Sequence, residues 1–278
     1  MFDAHCYLHH LPAPAEPWLA AARQAGVRGL AVPCTHPDEA EAAWAIASRH
    51  PDVVWGVGLH PWRLQEGQLD ADLRALTTAA TRRRPGPATV GEVGLDFARA
   101  RDARARDLQE DALAAQLDLA DRLGLPVALH VVRAHGAMLN LLERRGAPAA
   151  GGLVHGFSAP VEVAKRYLAL GLHLSVGPRV THPASRKLRA VLPQLPLERL
   201  LVETDSPDQA PEPHRSRARA AGGRARGQPA WLPWVVSEVA ALRGEDTGRI
   251  ARQTERNARR LFGLPMSPDP EGAHGPTA

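Results

Sequence analysis

The chain has 278 residues, of which 44% are hydrophobic, so it is long enough to bury a large core. Its two cysteines, Cys6 and Cys34, are too few for a disulfide framework. The net charge of +4 comes from arginine in a chain also rich in Ala, Pro and Gly, so composition alone does not indicate a nucleic-acid partner. Without an apolar run of about 20 residues or a signal peptide, the sequence predicts a cytoplasmic protein that does not bind membranes.

Short β-like runs alternate with segments of helical period along the chain, a pattern typical of βα units around a parallel sheet. The predicted strands are residues 1–5, 27–33, 53–58, 88–93, 126–131, 152–156, 172–176 and 199–204. Helical patterns include Asp38–Ser48, Ala103–Leu123, Pro160–Leu170, Ser185–Leu192, Trp231–Leu242 and Thr247–Phe262. Eight strands indicate an α/β fold of the (β/α)8 TIM-barrel type. We predict a single barrel domain over residues 1–263 and a disordered tail over 264–278, where Pro and Gly replace any apolar stripe.

Five potential metal ligands stand at predicted strand ends: His5, Glu92, His130, His155 and Asp205. The carboxyl ends of barrel strands meet at one face, where catalytic groups of this fold lie. A single such residue would more often be structural, but five in register indicate a metal centre for Zn²⁺, Mg²⁺ or Mn²⁺. Glu92 is placed to bridge two ions, and Asp205 is placed to act as a ligand and general base.

Six motifs occur in the order that is typical of the TatD family of metal-dependent deoxyribonucleases, which this sequence resembles from Phe2 to about Phe262. They are Asp3-Ala4-His5-Cys6-Tyr7, Gly58-Leu59-His60-Pro61, Gly91-Glu92-Val93-Gly94-Leu95-Asp96, Leu125–His130 with Arg133, Val154–Ser158 and Glu203–Pro207. The resemblance implies a barrel of the metallo-dependent hydrolase, or amidohydrolase, type. It also implies hydrolysis of phosphodiester bonds, typically 3′ to 5′ trimming of DNA ends.

The resemblance further implies two metal positions, one held by a pair of His with Glu92 and Asp205, and one by Glu92, His130 and His155. Tyr7 stands where the family places the second His of its opening pair. A neutral phenol with a pKa of about 10 is a poor metal ligand. We therefore predict one strongly held metal ion and a second, weaker one that keeps only His5, Glu92 and Asp205.

Five further residues are candidates for substrate binding: His60, Arg133, Phe157, Ser158 and Arg215. The guanidinium group matches phosphate oxygens, and an aromatic face with a hydroxyl suits a nucleotide. Structural roles remain the alternative, namely loop anchoring by His60, core packing by Phe157 and rim salt bridges by the arginines.

Three other features complete the set of predictions. Asp96 is a candidate to orient a metal-bound imidazole. His9 and His10 lie past the first strand in a Pro-containing loop, which disfavours them as replacements for the missing ligand. The segment that carries Arg215, Arg217, Arg219, Arg224 and Arg226 is predicted to form a flexible loop, either solvated or in contact with phosphate.

The prediction for function is a monomeric, metal-dependent nuclease acting on DNA. The alternative is a catalytically weakened barrel that serves as a binding or scaffold component of a multiprotein bacterial system. A lactonase-like or amide-cleaving enzyme is disfavoured because no lysine stands at a strand end to carry a bridging carbamate.

Overall fold

A computed structural model describes residues 1–266 and shows eight parallel strands that pair in chain order. The strands are β1 (Phe2–Asp3), β2 (Gly29–Val32), β3 (Val53–Val57), β4 (Thr89–Asp96), β5 (Val127–Val132), β6 (Gly152–Val154), β7 (His173–Val176) and β8 (Leu200–Val202). Each lies within or overlaps a predicted strand. The predicted α/β barrel is therefore confirmed.

Strands β1 and β8 close the barrel through contacts at and beyond their ends. The backbone N–H of Asp205 donates to the carbonyl oxygen of His5 over 2.9 Å. The buried carboxylate of Asp3 accepts hydrogen bonds from the backbone N–H and the hydroxyl of Thr204, at 2.9 and 2.5 Å. These contacts fix His5 and Asp205, the first and last ligand candidates of the chain, beside each other.

Ten α-helices within residues 1–266 cover the outside and one end of the barrel. They are α1 (Glu16–Gln24), α2 (Ala40–Ala47), α3 (Leu69–Arg82), α4 (Ala103–Leu123), α5 (His135–Arg145), α6 (Val161–Ala169), α7 (Arg186–Val191), α8 (His214–Ala220), α9 (Leu232–Arg243) and α10 (Thr247–Leu261). The six predicted helical patterns agree to within one or two residues at each end. Helix α4 has the predicted bounds because Asp102 caps its first turn and Gly124, with φ of 64°, ends it.

A small apolar cluster fills the interior below the ligand candidates. Phe2, Ala31, Ala128 and Leu201 belong to it, and each precedes the carboxyl end of its strand. Helix α10 seals this end of the barrel, where the ring of Phe262 stacks on Phe2 with centroids 5.7 Å apart. The ligand candidates thus lie at the opposite end of the barrel, where the strands finish.

Strand β4 does not end near Glu92, as predicted, but runs on to Asp96. Between the pairs Val90–Val127 and Val93–Leu129, β4 contains one residue more than β5, which makes a bulge at Glu92. A bulge re-aims a side chain without ending the strand, and alternating hydrophobicity alone does not reveal it.

The predicted flexible loop is wrong for its first half, because Arg215, Arg217 and Arg219 lie in helix α8. The carboxylate of Glu212 accepts a hydrogen bond from the backbone N–H of Ser216 over 3.1 Å, which satisfies a donor of the first turn. The sequence pattern gave no helical signal because no α8 side chain is buried.

The predicted disordered tail concerns residues 264–278, of which 267–278 lie outside the described residues. Leu264 packs against the apolar cluster below the barrel. Among residues 1–266, no helix has both the length and the apolar character that crossing a membrane requires. The division of the chain at residue 263 stays a prediction.

Candidate metal centre

A buried carboxylate, Glu92, lies at the centre of the strand ends with four imidazoles around it. Its Oε1 atom is 2.7 Å from His130 Nδ1, 2.9 Å from His155 Nε2 and 3.2 Å from His60 Nε2. Its Oε2 atom is 3.3 Å from His5 Nε2. Four of the five predicted ligands therefore meet, and His60, predicted to contact substrate, joins them.

The cluster has the donor set and spacing that a divalent cation requires. His5 Nε2 and Glu92 Oε2 are buried and lack hydrogen-bond partners, although buried polar atoms are normally satisfied. Their separation of 3.3 Å equals the distance of about 3.3 Å between two ligands of a tetrahedral zinc ion. Ligand atoms lie within 4.8 Å of one another in two groups, which share Glu92: His5 with His155, and His60 with His130. The side chains of this cluster therefore fit a divalent metal ion.

Asp205 lies three residues beyond β8, and its φ of 48° turns the carboxylate towards the cluster. Asp is one of the few side chains that tolerates this left-handed conformation. Its Oδ1 is 3.9 Å from His5 Nε2, and its Oδ2 accepts a hydrogen bond from Gln209 over 2.7 Å. Burial raises the pKa of Asp205 to about 6, against the opposing charges of His155 and His5. The carboxylate can therefore take up a proton near neutral pH.

Protonation of the imidazoles is coupled to the central carboxylate. Burial opposes ionisation of Glu92, but the charges of His155 and His5 outweigh it and hold its pKa well below the usual value. Burial likewise opposes charging of His155, but the carboxylates of Glu92 and Glu203 raise its pKa well above the usual value. A metal ion would displace these protons, so its binding is expected to weaken in acid.

Glu203 is a functional candidate that the sequence reasoning missed. It is fully buried, accepts a hydrogen bond from the backbone N–H of Gly156 over 2.6 Å, and has its Oε1 atom 3.4 Å from His155 Nδ1. A carboxylate in this position orients the imidazole and raises its basicity. The available signal was its place two residues before Asp205, because alternate residues of an extended segment face the same way.

Asp96 lies where the sequence reasoning expected it, with its Oδ2 atom 3.5 Å from His130 Nε2. The same oxygen accepts a hydrogen bond of 2.6 Å from the indole of Trp62. Trp62, which the sequence reasoning also missed, is 48% exposed and carries the guanidinium of Arg99 3.7 Å from its ring centroid. A large aromatic surface is thus held rigidly beside the cluster.

Tyr7 lies next to His5, with ring centroids 5.1 Å apart in an edge-to-face arrangement. Its other neighbour is the imidazole of His10, which stacks on it at 5.1 Å with 16° between the planes. Tyr7 is 5% exposed but lines the cavity above the cluster. It therefore forms a largely buried part of the wall of the site.

An open cavity of about 550 Å³ leads from solvent to the cluster. Apart from His60, the predicted substrate residues lie outside it. Phe157 is 1% exposed and packs beside His135, so the core-packing alternative is correct for it. Arg133 is exposed and Ser158 half-buried, and neither lines this cavity.

Arg215 lines a second, adjoining cavity of about 640 Å³. Arg179, Arg219 and Arg224 also contribute to its wall. Asp208 and Arg224 line both cavities, so the arginine-rich space adjoins the one above the cluster. This arrangement extends a basic surface away from the candidate metal centre.

A parallel (β/α)8 barrel with a carboxylate and imidazoles gathered at its carboxyl end is the architecture of a metal-dependent hydrolase. Residues 2–263 match the family described as TatD related DNase, and the chain belongs to this family.

Relatives cover almost the whole chain. The 3′-5′ ssDNA/RNA exonuclease TatD of Erwinia tasmaniensis is 36% identical over 87% of this chain and 91% of its own length. The uncharacterized metal-dependent hydrolase YjjV of Escherichia coli K12 is 34% identical over 95% of this chain and 98% of its own length. The crystal structure of YjjV matches with a TM-score of 0.85, at 33% identity and the same coverage of both chains. A TatD family hydrolase from Entamoeba histolytica, with 17% identity and a TM-score of 0.80 over 94% of this chain and 97% of its own, shares the fold.

The role of Glu203 can be tested by Glu203→Gln, which keeps the shape and removes the charge beside His155. We expect metal affinity to fall by about 10–100-fold, because the imidazole loses its orienting carboxylate. Competition with a chromogenic chelator measures this affinity. Glu198→Gln, which removes an exposed carboxylate between β7 and β8, is the matched control. Equal affinities of Glu203→Gln and wild type would show that Glu203 does not support the metal centre.

Proposed function

We propose that the chain is a metal-dependent nuclease that hydrolyses phosphodiester bonds of single-stranded DNA, in the 3′ to 5′ direction. The observation that carries this proposal is the buried Glu92 with its four imidazoles, which lies beneath an open cavity that adjoins an arginine-rich one. The name 3′-5′ ssDNA/RNA exonuclease borne by the relative from Erwinia tasmaniensis supports the substrate class and the polarity.

We propose that Glu92, His130 and His155 hold the stronger metal ion. The three distances among their facing atoms lie between 2.7 and 3.2 Å, so one cation contacts all three with little movement. The weaker ion is assigned to His5, Glu92 and Asp205, because His5 and Asp205 are 3.9 Å apart and Tyr7 adds no imidazole.

Divalent ions at these positions supply Lewis acidity to the phosphodiester and ease deprotonation of the attacking water. Asp205 is the proposed general base, since its carboxylate lies in the cavity wall and can accept the proton of that water there. A new bond then forms between the water oxygen and phosphorus, the bond from phosphorus to the leaving sugar oxygen breaks, and that oxygen takes up the proton that Asp205 accepted. Glu203 and Asp96 hold the imidazoles in place during this step.

The cavity wall supports recognition of a single strand. The half-exposed ring of Trp62 offers a surface on which an unpaired base can stack. Arg99 and Arg224 line the same cavity, and Arg215 lies in the adjoining one, so phosphates can follow the basic wall. His60 contacts Glu92 and also lines the cavity, so we place it between the metal centre and the bound substrate.

We propose a cytoplasmic monomer. Among residues 1–266, the large hydrophobic side chains that are exposed are Trp62, Trp234 and Met266. Three separate side chains expose far less apolar surface than an obligate interface needs, since such an interface buries about 2,000 Å² or more. The relatives give no support to a scaffold in a multiprotein system. The chain also keeps every metal ligand of the family pattern except the second His, which Tyr7 replaces.

The proposed base can be tested with Asp205→Asn on a 5′-labelled single-stranded DNA. We expect kcat to fall by about 10²–10⁴-fold, because the amide cannot accept the proton of the attacking water. Asp118→Asn, which changes an exposed carboxylate on α4, should retain wild-type activity. A nuclease rate for Asp205→Asn within about twofold of wild type, measured at saturating metal, would rule out this role.

The compromised metal position can be tested with Tyr7→His, since an imidazole beside His5 adds a neutral nitrogen ligand. We expect a higher zinc content per chain and a higher rate at limiting metal. Tyr7→Phe is the control, because it removes the phenol without adding a ligand. If Tyr7→His and Tyr7→Phe have the same metal content, Tyr7 does not occupy a ligand position.

A further inference from the structure

A second group of potential ligands lies beside Tyr7, at the rim of the cavity above the candidate metal centre. We call His9, His10 and Glu39 the rim cluster. His9 Nε2 is 3.3 Å from Glu39 Oε2, and His10 Nε2 is 3.2 Å from Glu39 Oε1. One atom from each side chain lies within 4.8 Å of the other two. Both imidazoles thus converge on one carboxylate.

The spacing in the rim cluster fits a shared cation. Two ligands of a tetrahedral zinc ion, each bonded at about 2.0–2.1 Å, are about 3.3 Å apart. The separations of 3.3 and 3.2 Å in the rim cluster lie close to this distance, as the contact between His5 and Glu92 does in the central cluster.

The carboxylate of Glu39 in the rim cluster is held in place by hydrogen bonds that do not depend on a bound metal ion. The backbone N–H of Thr35 donates to Glu39 Oε2 and its hydroxyl donates to Glu39 Oε1, each over 2.7 Å. Outer hydrogen bonds of this kind orient metal-binding carboxylates. The nearest opposing cation, Arg63, is 3.9 Å from Glu39 but forms a closer ion pair of 2.9 Å with Asp38.

The imidazoles are presented by a 3-10 helix, Leu8–His10, rather than by the loop that the sequence predicted. Burial lowers the pKa of His9, which favours the neutral form that ligates metals. The Nδ1 atom of His9 is buried without a hydrogen-bond partner. The side chain of His10 is 34% exposed, and its ring stacks on Tyr7. One ligand is therefore buried and the other faces the opening.

We propose that His9, His10 and Glu39 bind a further divalent transition-metal ion, with Zn²⁺ the best match to two imidazoles and one carboxylate. Three protein ligands leave a fourth tetrahedral position open. His10 and Glu39 line the cavity, so this position is open to water or to a phosphate oxygen of a substrate. Tyr7, which stands in place of a second His ligand at the weaker central metal position, thus stacks on His10, a ligand of the proposed rim site. This site does not depend on the proposed nuclease activity.

Zinc content of the full chain tests the rim site, with Glu92→Gln/His155→Ala as the background that disables the central cluster. We expect this double variant to retain about one zinc per chain by mass spectrometry after equilibrium dialysis, because the rim cluster is intact. Adding His10→Ala should abolish that zinc. In the wild-type background, His10→Ala should lower the content by about one equivalent.

His36→Ala is the matched control, because His36 is a partly exposed histidine just before the 3-10 helix Pro37–Glu39 and is not one of the three proposed ligands. Cobalt substitution in the double variant gives a second readout, since tetrahedral Co²⁺ absorbs strongly in the visible range. The proposal predicts this absorption in the double variant and its loss on adding His10→Ala, with no loss on adding His36→Ala. Equal zinc content and equal cobalt spectra with and without His10→Ala would overturn it.

Discussion

The structure depends on one buried carboxylate, Glu92, that four imidazoles share. A buried charge is costly unless it is paired, so the four side chains and the carboxylate require one another. They come from the ends of β1, β3, β5 and β6, and from the bulge in β4. The barrel brings these strands to one face, and the bulge turns Glu92 into the middle of it.

The backbone around Glu92 is correspondingly tight. A Cβ atom on Gly58 would lie 2.6 Å from the backbone nitrogen of Glu92, and one on Gly94 would overlap the carbonyl oxygen of His130. Gly94 also has a φ of 151°, which other residues rarely adopt. Both positions therefore require glycine, because neighbouring strands approach closely at the centre of the site.

Much of this arrangement follows from the sequence. The eight strands and helix α4 were predictable from periodicity and caps, and His5, His130, His155 and Asp205 from their positions after apolar runs. Glu203 was missed because its place two residues before Asp205 is a weak signal, and its contact with His155 is what reveals its role. Of the two roles left open for Phe157, core packing is the one the structure shows, because adjacency to a ligand in sequence does not place a side chain in the cavity. The rim cluster depends on Glu39, which is 29 or 30 residues from its partners, so spacing along the chain gave no signal for it.

The central claim is that Glu92 is a bridging metal ligand and not merely the acidic partner of four imidazoles. Anomalous diffraction at the zinc absorption edge, from crystals equilibrated with zinc, tests it most directly. The account predicts strong anomalous peaks about 2.0–2.2 Å from the carboxylate oxygens of Glu92, with His130 and His155 coordinating the stronger one. A map with no anomalous peak within bonding distance of Glu92 would contradict it.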